Sequence, residues 1–351
     1  MPNVAPPLAE ALRLLSIGRS LTASQSAAAF AVLVAGEAAD GDAASLLMGL
    51  KRKGETADEI AGAALVLREA MIPLIVPDRD DLVDTCGTGG GLVGTLNIST
   101  AAAILAVGAG VRVAKHGNRS HTSRSGSADV LEALGVAVEL RPPVAAKALE
   151  TSGFTFMYAP QYHPAMRHVA GVRRQLGVAT MMNLLGPLAN PAGVGRQVVG
   201  VAERRVAPLL ADALRRLGTR HAMVVHAEVG MDEISPMGAT EVWEVRGSAV
   251  REWLIEPAEF GLEVSDLTPL AGGEPDENAN RIERLLEGAD ADHAARSALV
   301  LNAGAALYVA GVSAEFPKAV DLARRALTAG TGRDALSRIR AAVSCDPAEA
   351  A

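Results

Sequence analysis

The feature that most constrains the fold of this chain is the run G-T-G-G-G-L-V-G-T-L-N-I-S-T over residues 87–100. An apolar segment over 82–86 predicts a strand that leads into this glycine-rich turn, and Asn97, Ser99 and Thr100 then open an apolar, alanine-rich helix. Glycine lets backbone N–H groups approach a ligand closely, and a helix start carries unpaired N–H groups and partial positive charge. The order strand, glycine turn, helix therefore predicts an α/β fold with a site for phosphate or pyrophosphate.

Hydrophobic periodicity divides the chain into two parts. Residues 8–71 show only helical periodicity, and the prolines and acidic residues of 73–81 predict a linker. Beyond residue 81, helices alternate with predicted strands at 82–86, 111–114, 136–140, 154–158, 197–201, 222–226 and 241–245. This pattern predicts a small all-helical domain plus a larger α/β domain with a mainly parallel sheet flanked by helices. A hairpin pattern over 241–255 makes that sheet mixed.

Composition narrows the class of protein. The 351 residues are 49% hydrophobic but only 3% aromatic, and the net charge of −7 argues against a general nucleic-acid binder. The two cysteines, Cys86 and Cys345, have no metal-like spacing, which favours a reducing, cytoplasmic setting. No signal peptide is recognisable, and the longest apolar stretches contain Ser, Gly, Arg or Asn, so we expect buried elements and no membrane span.

The glycine run by itself has more than one interpretation. Residues 89–94 fit G-x-G-x-x-G, but the dinucleotide fingerprint requires an acidic residue after the next strand, and here Lys115, His116 and Arg119 follow it. The P-loop pattern also fails, because Thr95 stands where lysine is required. Taken alone, the run is equally consistent with a tight turn that needs positive φ.

Three further segments carry candidate chemistry. Residues 115–127 combine cations, hydroxyls and glycines after a predicted strand, Arg173 and Arg174 follow His163 on a predicted helix, and Asp232 and Glu233 follow another strand. Their possible roles are, in that order, phosphate binding, carboxylate binding and Mg²⁺ binding. Each segment alone is also typical of a solvated loop, a polar helix face or surface charge.

Together, the ordered motifs resemble those of the anthranilate phosphoribosyltransferase family. The resemblance rests on G-T-G-G…N-I-S-T (87–100), K-H-G-N-R…S-G-S-A-D-V-L-E-A-L-G (115–135), H-P-A-M…N-L-L-G-P-L-A-N-P (163–191) and D-E-I-S (232–235), and it covers nearly the whole chain. It departs at Gly91, where the family usually has an acidic residue, at Met182, and at His121 beside the basic loop.

The resemblance implies a phosphoribosyl transfer to anthranilate, the second step of tryptophan biosynthesis from chorismate. It implies Mg²⁺ as cofactor and a cytoplasmic homodimer packed through its helical domains, with no nucleic-acid or membrane partner. The helical domain would span 1–76, completed by a segment at about 164–190, and the α/β domain 77–351.

The resemblance also implies site residues. The donor, 5-phosphoribosyl 1-diphosphate, would be bound by Gly87, Gly90, Gly91, Thr95, Asn97, Ile98, Ser99, Thr100, Lys115, Asn118, Arg119, Thr122, Ser123 and Ser127. Anthranilate would be bound by Gly87, His116, Asn118, His163 and Arg173, and the metal by Ser99, Asp232 and Glu233. No general base is assigned, because an aromatic amine is neutral at pH 7. The alternatives are phosphorolysis of pyrimidine nucleosides on the same architecture and a non-catalytic nucleic-acid-binding paralogue, which the acidic charge disfavours.

Overall fold

Seven strands form one sheet in the computed structural model, which describes residues 4–91, 93–120, 124–288 and 292–343. In chain order they are β1 (Val83–Gly87), β2 (Val113–Gly117), β3 (Phe154–Tyr158), β4 (Arg196–Gly200), β5 (His221–Ala227), β6 (Thr240–Arg246) and β7 (Ala249–Ile255). The sheet order is β3-β2-β1-β4-β5-β6-β7. Strands β1 to β5 are parallel, and β6 and β7 add an antiparallel edge.

The chain reverses its direction across the sheet between β1 and β4. From β1 it proceeds through β2 to β3 on one side, then returns to place β4 on the other side of β1. In open α/β sheets, ligands bind outside the carboxyl ends of the strands at such a switch point. The topology alone therefore predicts a ligand site at the carboxyl ends of β1 and β4.

Helices cover both faces of the sheet. The first four are α1 (Pro6–Ser16), α2 (Ala23–Val34), α3 (Asp40–Lys53) and α4 (Ala57–Ala70). The next seven are α5 (Ile98–Gly108), α6 (Ser127–Ala133), α7 (Pro142–Ser152), α8 (Ala159–Tyr162), α9 (Arg167–Leu176), α10 (Met182–Leu185) and α11 (Ala207–Arg216). The last four are α12 (Pro275–Leu286), α13 (His293–Ala310), α14 (Phe316–Thr328) and α15 (Thr331–Val343). In the described part of the chain, no helix is long and apolar enough to cross a membrane.

Alternate residues of the central strands enter different cores, as the two-residue period of a strand requires. Val198 packs with α5 and α13 in one core, whereas Val199 joins the core formed with α1 to α4 and α11. Val169 and Val172 of α9 belong to that second core, so α9 packs with the N-terminal helices. The sheet is thus buried on both faces, which explains its continuous apolar strands.

Two N-terminal helices begin with reciprocal capping boxes. Thr22 caps α2 with Gln25, and Thr56 caps α4 with Glu59. The fully buried Glu59 also accepts a hydrogen bond from Leu21 N at 2.8 Å and pairs with Lys53 at 3.0 Å. A charge buried in the helical domain is therefore compensated at every oxygen, as burial requires.

The sequence-based strand predictions hold with one exception. Six of the seven predicted segments overlap β1 to β6, and the predicted hairpin forms β6 and β7. The prediction of a strand over 136–140 is wrong, because these residues pair with no strand in the described structure. Val136, Val138 and Leu140 are buried and their neighbours exposed, so the alternation reflects a covering segment with one apolar side.

A buried carboxylate secures the antiparallel edge of the sheet. Glu244 of β6 accepts hydrogen bonds from Tyr308 Oη at 2.9 Å, Arg246 Nε at 2.7 Å and Trp253 Nε1 at 3.0 Å, and His221 Nε2 lies 3.0 Å away. These partners lower the pKa of Glu244 to about 2, despite the opposing effect of burial. This cluster lies where β5 begins, away from the carboxyl ends of the parallel strands.

Helices α2 and α4 approach so closely that the contact requires glycine. A Cβ on Gly62 of α4 would lie 2.1 Å from the carbonyl oxygen of Ala23, whereas Gly171 of α9 has open space around it. Alanine at either site gains about 1 kcal/mol of helix propensity. We expect Gly171→Ala to raise the melting temperature and Gly62→Ala to lower it by several degrees, since the clash exceeds that gain. Equal shifts in thermal unfolding would contradict the close packing.

Candidate active site

The four chemical motifs of the sequence follow the carboxyl ends of four parallel strands. Gly87 ends β1, Gly117 ends β2, His163 lies five residues beyond β3, and Asp232 lies five residues beyond β5. Because the carboxyl ends of parallel strands meet at one edge of the sheet, these motifs converge there. The switch point between β1 and β4 lies at the centre of the group.

Glycines at this switch point allow Asp232 to lie against the strand ends. A Cβ on Gly87 would lie 3.3 Å from Asp232 Oδ2, one on Gly91 would lie 2.6 Å from Asp232 Oδ1, and one on Gly200 would lie 1.6 Å from the backbone oxygen of Asp232. Gly89 and Gly90 have φ of +69° and +84°, and a Cβ on either would meet nothing within 4 Å. The glycine run therefore agrees with both interpretations of the sequence. It makes a tight turn with positive φ, and it leaves the open space that a phosphate-binding turn needs.

Asp232 and Glu233 form a carboxylate pair without a cation partner in an ion pair among the described residues. Thr95 Oγ1 donates to Glu233 Oε2 at 2.8 Å, and the N–H groups of Gly89 and Ser99 approach Asp232 and Glu233 respectively. Burial raises the pKa of both carboxyl groups, and the charge of Asp232 raises that of Glu233 further. Adjacent buried carboxylates that lack an ion-pair partner attract a divalent cation.

Lys115 brings a buried cation to the same place. Its side chain is 2% exposed, and Nζ donates to the backbone oxygen of Thr85 and lies 3.4 Å from Ser99 Oγ. Burial lowers the pKa of Lys115, while Asp84 and Glu233 oppose that effect. Ser99 lies in the first turn of α5, so the ammonium group adds to the positive end of this helix.

Side-chain hydrogen bonds join the described ends of the basic loop after β2. Asp129 Oδ2 accepts the N–H groups of Ser120 at 3.0 Å and Gly126 at 2.8 Å. A Cβ on Gly126 would lie 2.4 Å from Ser120 N, so this closure requires glycine. The Oγ of Ser127 donates to the backbone oxygen of Asn118 at 3.3 Å.

Arg119 points its charge toward the protein. Its guanidinium forms ion pairs with Asp129, Glu132 and Glu139, and lies 5.5 Å from the ring centre of Tyr158. These partners raise the pKa of Arg119 further. The guanidinium therefore anchors the loop in this structure.

Asn97 joins the start of α5 to two other segments. Its Nδ2 donates to the backbone oxygen of Ser125 at 3.0 Å, and its Oδ1 accepts from Asn278 Nδ2 at 3.0 Å. Asn278 is buried in α12 and also accepts the N–H of Gly273 at 2.8 Å. Ile98 and Thr100 are fully buried beside it, and Thr100 Oγ1 has no hydrogen-bond partner within the described ranges.

His116 and His163 form a buried pair of rings with centroids 5.0 Å apart. Burial lowers the pKa of His116 to about 3 and that of His163 to about 4, so both are neutral at pH 7. His116 Nδ1 lies 3.3 Å from the backbone oxygen of Gly186. This pair provides a neutral wall on the side of β2 opposite to Lys115.

Arg173 of α9 is half-buried, and burial lowers its pKa. Its guanidinium forms neither an ion pair nor a side-chain hydrogen bond within the part of the chain that the structure describes. A cation held in this way is suited to a carboxylate from a ligand. Its neighbour Arg174 is exposed.

Some predicted residues lie outside the described structure, and some relevant residues were not predicted. Thr122, Ser123 and the unexplained His121 fall outside the described residues. Sequence reasoning missed Asp84, Asp129 and the helix residue Asn278. A carboxylate inside an apolar strand was the available signal for Asp84, whereas only tertiary contacts identify the other two.

The comparisons with known proteins agree with this architecture. The model of the Glycosyl transferase family helical bundle domain matches residues 9–71, and that of the Glycosyl transferase family a/b domain matches residues 79–333. The anthranilate phosphoribosyltransferase of Geobacillus kaustophilus is 44% identical over 324 residues, covering 92% of this chain and 95% of its own.

Two solved structures are also similar. The anthranilate phosphoribosyltransferase of Thermus thermophilus has a TM-score of 0.89 at 42% identity and covers 95% of this chain and 99% of its own. That of Saccharomyces cerevisiae, in complex with PRPP and Mg, has a TM-score of 0.86 at 27% identity and covers 96% of this chain and 98% of its own.

The fold and site thus define a glycosyltransferase with a helical bundle domain and an a/b domain. Within that class, the chain belongs to the anthranilate phosphoribosyltransferase family.

The loop closure by Asp129 leads to a prediction for anion binding. Asp129→Ala leaves the N–H groups of Ser120 and Gly126 without their acceptor, which costs about 1–3 kcal/mol. Asp129→Asn can keep both bonds through its one carbonyl oxygen and loses only the contact with Arg119. In calorimetric titration with inorganic pyrophosphate, we expect affinity to fall roughly tenfold in the alanine variant and much less in the asparagine variant. Similar losses in both would show that the charge, and not the closure, is important.

Proposed function

We propose that this chain transfers the 5-phosphoribosyl group of 5-phosphoribosyl 1-diphosphate to the amine of anthranilate and releases pyrophosphate. The observation that carries this proposal is that the adjacent carboxylates of Asp232 and Glu233, which have no ion-pair partner among the described residues, lie beside the glycine turn and Lys115 at the switch point of the sheet. This arrangement has groups that can bind both a highly charged phosphate ester and the metal cation that accompanies it. Membership of the family and the similarity to a structure in complex with PRPP and Mg support the choice of donor.

The donor is bound by the first turn of α5, the glycine turn and the loop after β2. We assign Gly87, Gly90, Gly91, Thr95, Ile98, Ser99, Thr100, Lys115, Asn118, Thr122, Ser123 and Ser127 to its direct surroundings. Asn97 and Arg119 belong to the same site, but their side chains are engaged by protein groups. Their contribution is to hold the loop that surrounds the phosphates.

The residues at the switch point fit Mg²⁺. Asp232, Glu233 and the hydroxyl of Ser99 offer the hard oxygen donors that this ion prefers. Among the described residues, no group of three or more His, Cys, Asp or Glu side chains could hold a metal by itself. When bound, Mg²⁺ supplies neutralisation of the charge that develops on the departing pyrophosphate.

The acceptor occupies the opposite side of β2. Arg173 binds the carboxylate of anthranilate, and the neutral rings of His116 and His163 line the space for its aromatic ring, beside Gly87 and Asn118. Neutral imidazoles suit this role, because they neither repel the guanidinium nor protonate the amine.

The mechanism requires positioning more than proton transfer. The aromatic amine attacks ribose C1 as a neutral nucleophile while C1 gains oxocarbenium character and the bond to pyrophosphate breaks. The nitrogen, now positively charged, then loses one proton to the departing pyrophosphate or to water. Lys115 and the N–H groups of the glycine turn stabilise the departing oxygens. Holding donor and acceptor on the two sides of one strand end turns a bimolecular reaction into a local one, a contribution of up to about 7–11 kcal/mol.

The organisation around the site is also part of the proposal. We divide the chain into a helical domain over 1–76, completed by 164–190, and an α/β domain over 77–351, with the substrates between them. Exposed apolar side chains at Ile17, Met48 and Leu65 support a homodimer formed through the helical domain. The protein would act in the cytoplasm in tryptophan biosynthesis.

The activity is tested by following the loss of anthranilate fluorescence. We expect turnover only when 5-phosphoribosyl 1-diphosphate and Mg²⁺ are both present, and none in the near-isosteric double variant Asp232→Asn/Glu233→Gln, because the amides cannot neutralise the cation. Phosphorolysis of thymidine by the wild type, without consumption of anthranilate, would establish the alternative activity and refute the proposal.

Arg173 and its exposed neighbour give a matched pair for the acceptor site. Arg173→Ala should raise the KM for anthranilate roughly ten- to a hundredfold, since a charge-assisted hydrogen bond is worth about 1.5–3 kcal/mol. The KM for the donor should change little, and Arg174→Ala should leave both constants near the wild-type values. If the two variants behave alike in steady-state assays, Arg173 does not bind the acceptor.

A further inference from the structure

A buried carboxylate that the proposed mechanism does not use lies in the central strand, directly before the glycine turn. Asp84 of β1 is fully buried, and each of its oxygens accepts a hydrogen bond. His116 N donates to Oδ1 at 3.2 Å, and Asn190 Nδ2 donates to Oδ2 at 2.7 Å. Neither donor is an obvious neighbour in the sequence, so Asp84 joins the end of β2 to a segment more than 100 residues away.

Asn190 is matched to this position. Its side chain is buried, its Nδ2 also donates to the backbone oxygen of Ala114 at 2.9 Å, and its Oδ1 accepts the N–H of Ala192 at 2.9 Å. Both amide hydrogens and the amide oxygen are therefore used. Asp84 and Asn190 together bind the backbone of β2 on both sides of Lys115, at Ala114 and at His116.

The backbone around Asn190 also reaches the helical domain. The carbonyl of Leu188 accepts from Arg68 Nε of α4 at 2.6 Å, and that of Pro191 accepts the N–H of Leu74 at 2.9 Å. The carbonyl of Gly186 lies beside His116 Nδ1, and that of Pro187 accepts from Gln197 Nε2 at 2.7 Å. The segment 186–192 thus contacts α4 and Leu74 on one side and the sheet on the other.

The hydrogen bonds of Asp84 and Asn190 hold the end of β2, which carries one group of each proposed substrate site. Lys115 reaches toward Ser99 on the donor side, and His116 faces His163 on the acceptor side. Because successive residues of a strand point to opposite faces, a small movement of β2 displaces both groups at once. Displacements of about 1 Å at a reacting centre can cost about a hundredfold in rate.

We propose that Asp84 and Asn190 are a pair of positioning residues that fixes the end of β2, and so aligns the donor-binding Lys115 with the acceptor-binding His116. The inference rests on the proposed function of the site. In this proposal neither residue touches a substrate: both hold the backbone of β2, and the charge of Asp84 also supports that of Lys115.

The test uses isosteric exchange. In Asp84→Asn, one of the two buried N–H donors meets an amide N–H₂ and loses its acceptor. In Asn190→Asp, the carboxylate faces Asp84 and the carbonyl of Ala114. The double variant Asp84→Asn/Asn190→Asp restores a donor and an acceptor across the pair, but a carboxylate oxygen at position 190 still faces the carbonyl of Ala114, so we expect the recovery to be partial. We expect kcat to fall roughly ten- to a hundredfold in each single variant, and to recover at least severalfold in the double variant.

A buried carboxylate elsewhere serves as the control for general destabilisation. Glu244→Gln perturbs the cluster at the antiparallel edge, and we expect it to lower the melting temperature while leaving kcat and both KM values unchanged. If Asp84→Asn does not fold, Asn190→Ala, which removes the amide alone, replaces it. Wild-type kinetics in the single variants, or a double variant no better than either, would overturn the pairing.

A readout independent of turnover separates this inference from the proposed function. In NMR spectra of the protein with isotope-labelled histidine, the ring signal of His116 should shift in Asp84→Asn and return toward the wild-type position in the double variant. An unmoved His116 signal refutes the pairing. A wild-type protein that turns over neither substrate, but shows these shifts, refutes the proposed function and leaves the pairing supported.

Discussion

The close approach of backbone to backbone at the ends of β1 and β4 is the constraint on which the rest of this structure depends. Gly87 and Gly200 are partners in the parallel register, and both face Asp232. A side chain at Gly200 would occupy the space of the Asp232 backbone, so the loop after β5 could not return to the switch point. Without that return, the carboxylate pair and the glycine turn would lie apart, and the sheet would have no site.

The site contains acidic and basic groups that are buried or half-buried without ion-pair partners among the described residues, which destabilises the protein when no ligand is bound. Asp232 and Glu233 have no ion-pair partner, and Arg173 has no carboxylate, within the described part of the chain. Burying charges without compensation is costly, which the raised pKa values of the acids and the lowered pKa of Arg173 express. In the proposed function, a metal diphosphate would supply the charge that the two acids lack, and the carboxylate of anthranilate would supply the charge that Arg173 lacks. Since protons compete with a cation for the same carboxylate oxygens, the proposed metal site would lose affinity as the pH decreases toward the raised pKa values of Asp232 and Glu233.

The sequence was sufficient for the features that depend on local rules. Strand–helix alternation, the hairpin over 241–255 and the glycine turn follow from residue type and spacing, and the structure contains all three. The segment 136–140 was predicted wrongly because an alternating pattern reports one buried side and not hydrogen bonding to a neighbour. The roles of Arg119 and Asn97 were underdetermined for a related reason. A cation or amide in this loop can contact a ligand or the protein. The sequence alone does not show that Arg119 pairs with Glu132 and Glu139, 13 and 20 residues further on. Nor does it show that Asn97 accepts from Asn278, 181 residues away.

Asp84 shows how far a single residue can be interpreted once the topology is known. Each oxygen of a carboxylate in a strand buried on both faces needs a hydrogen-bond donor. A buried oxygen without one destabilises the fold by more than a surface ion pair stabilises it. The two N–H groups that satisfy it come from the strand carrying Lys115 and His116 and from the segment that contacts α4. The need to satisfy this buried carboxylate therefore fixes the geometry of the site. If β2 moved, Asp84 Oδ1 would lose the hydrogen bond from His116 N and would remain buried without that donor. The same reasoning explains why an asparagine at position 190, with two donors and one acceptor all in use, is better suited than any apolar residue of its size.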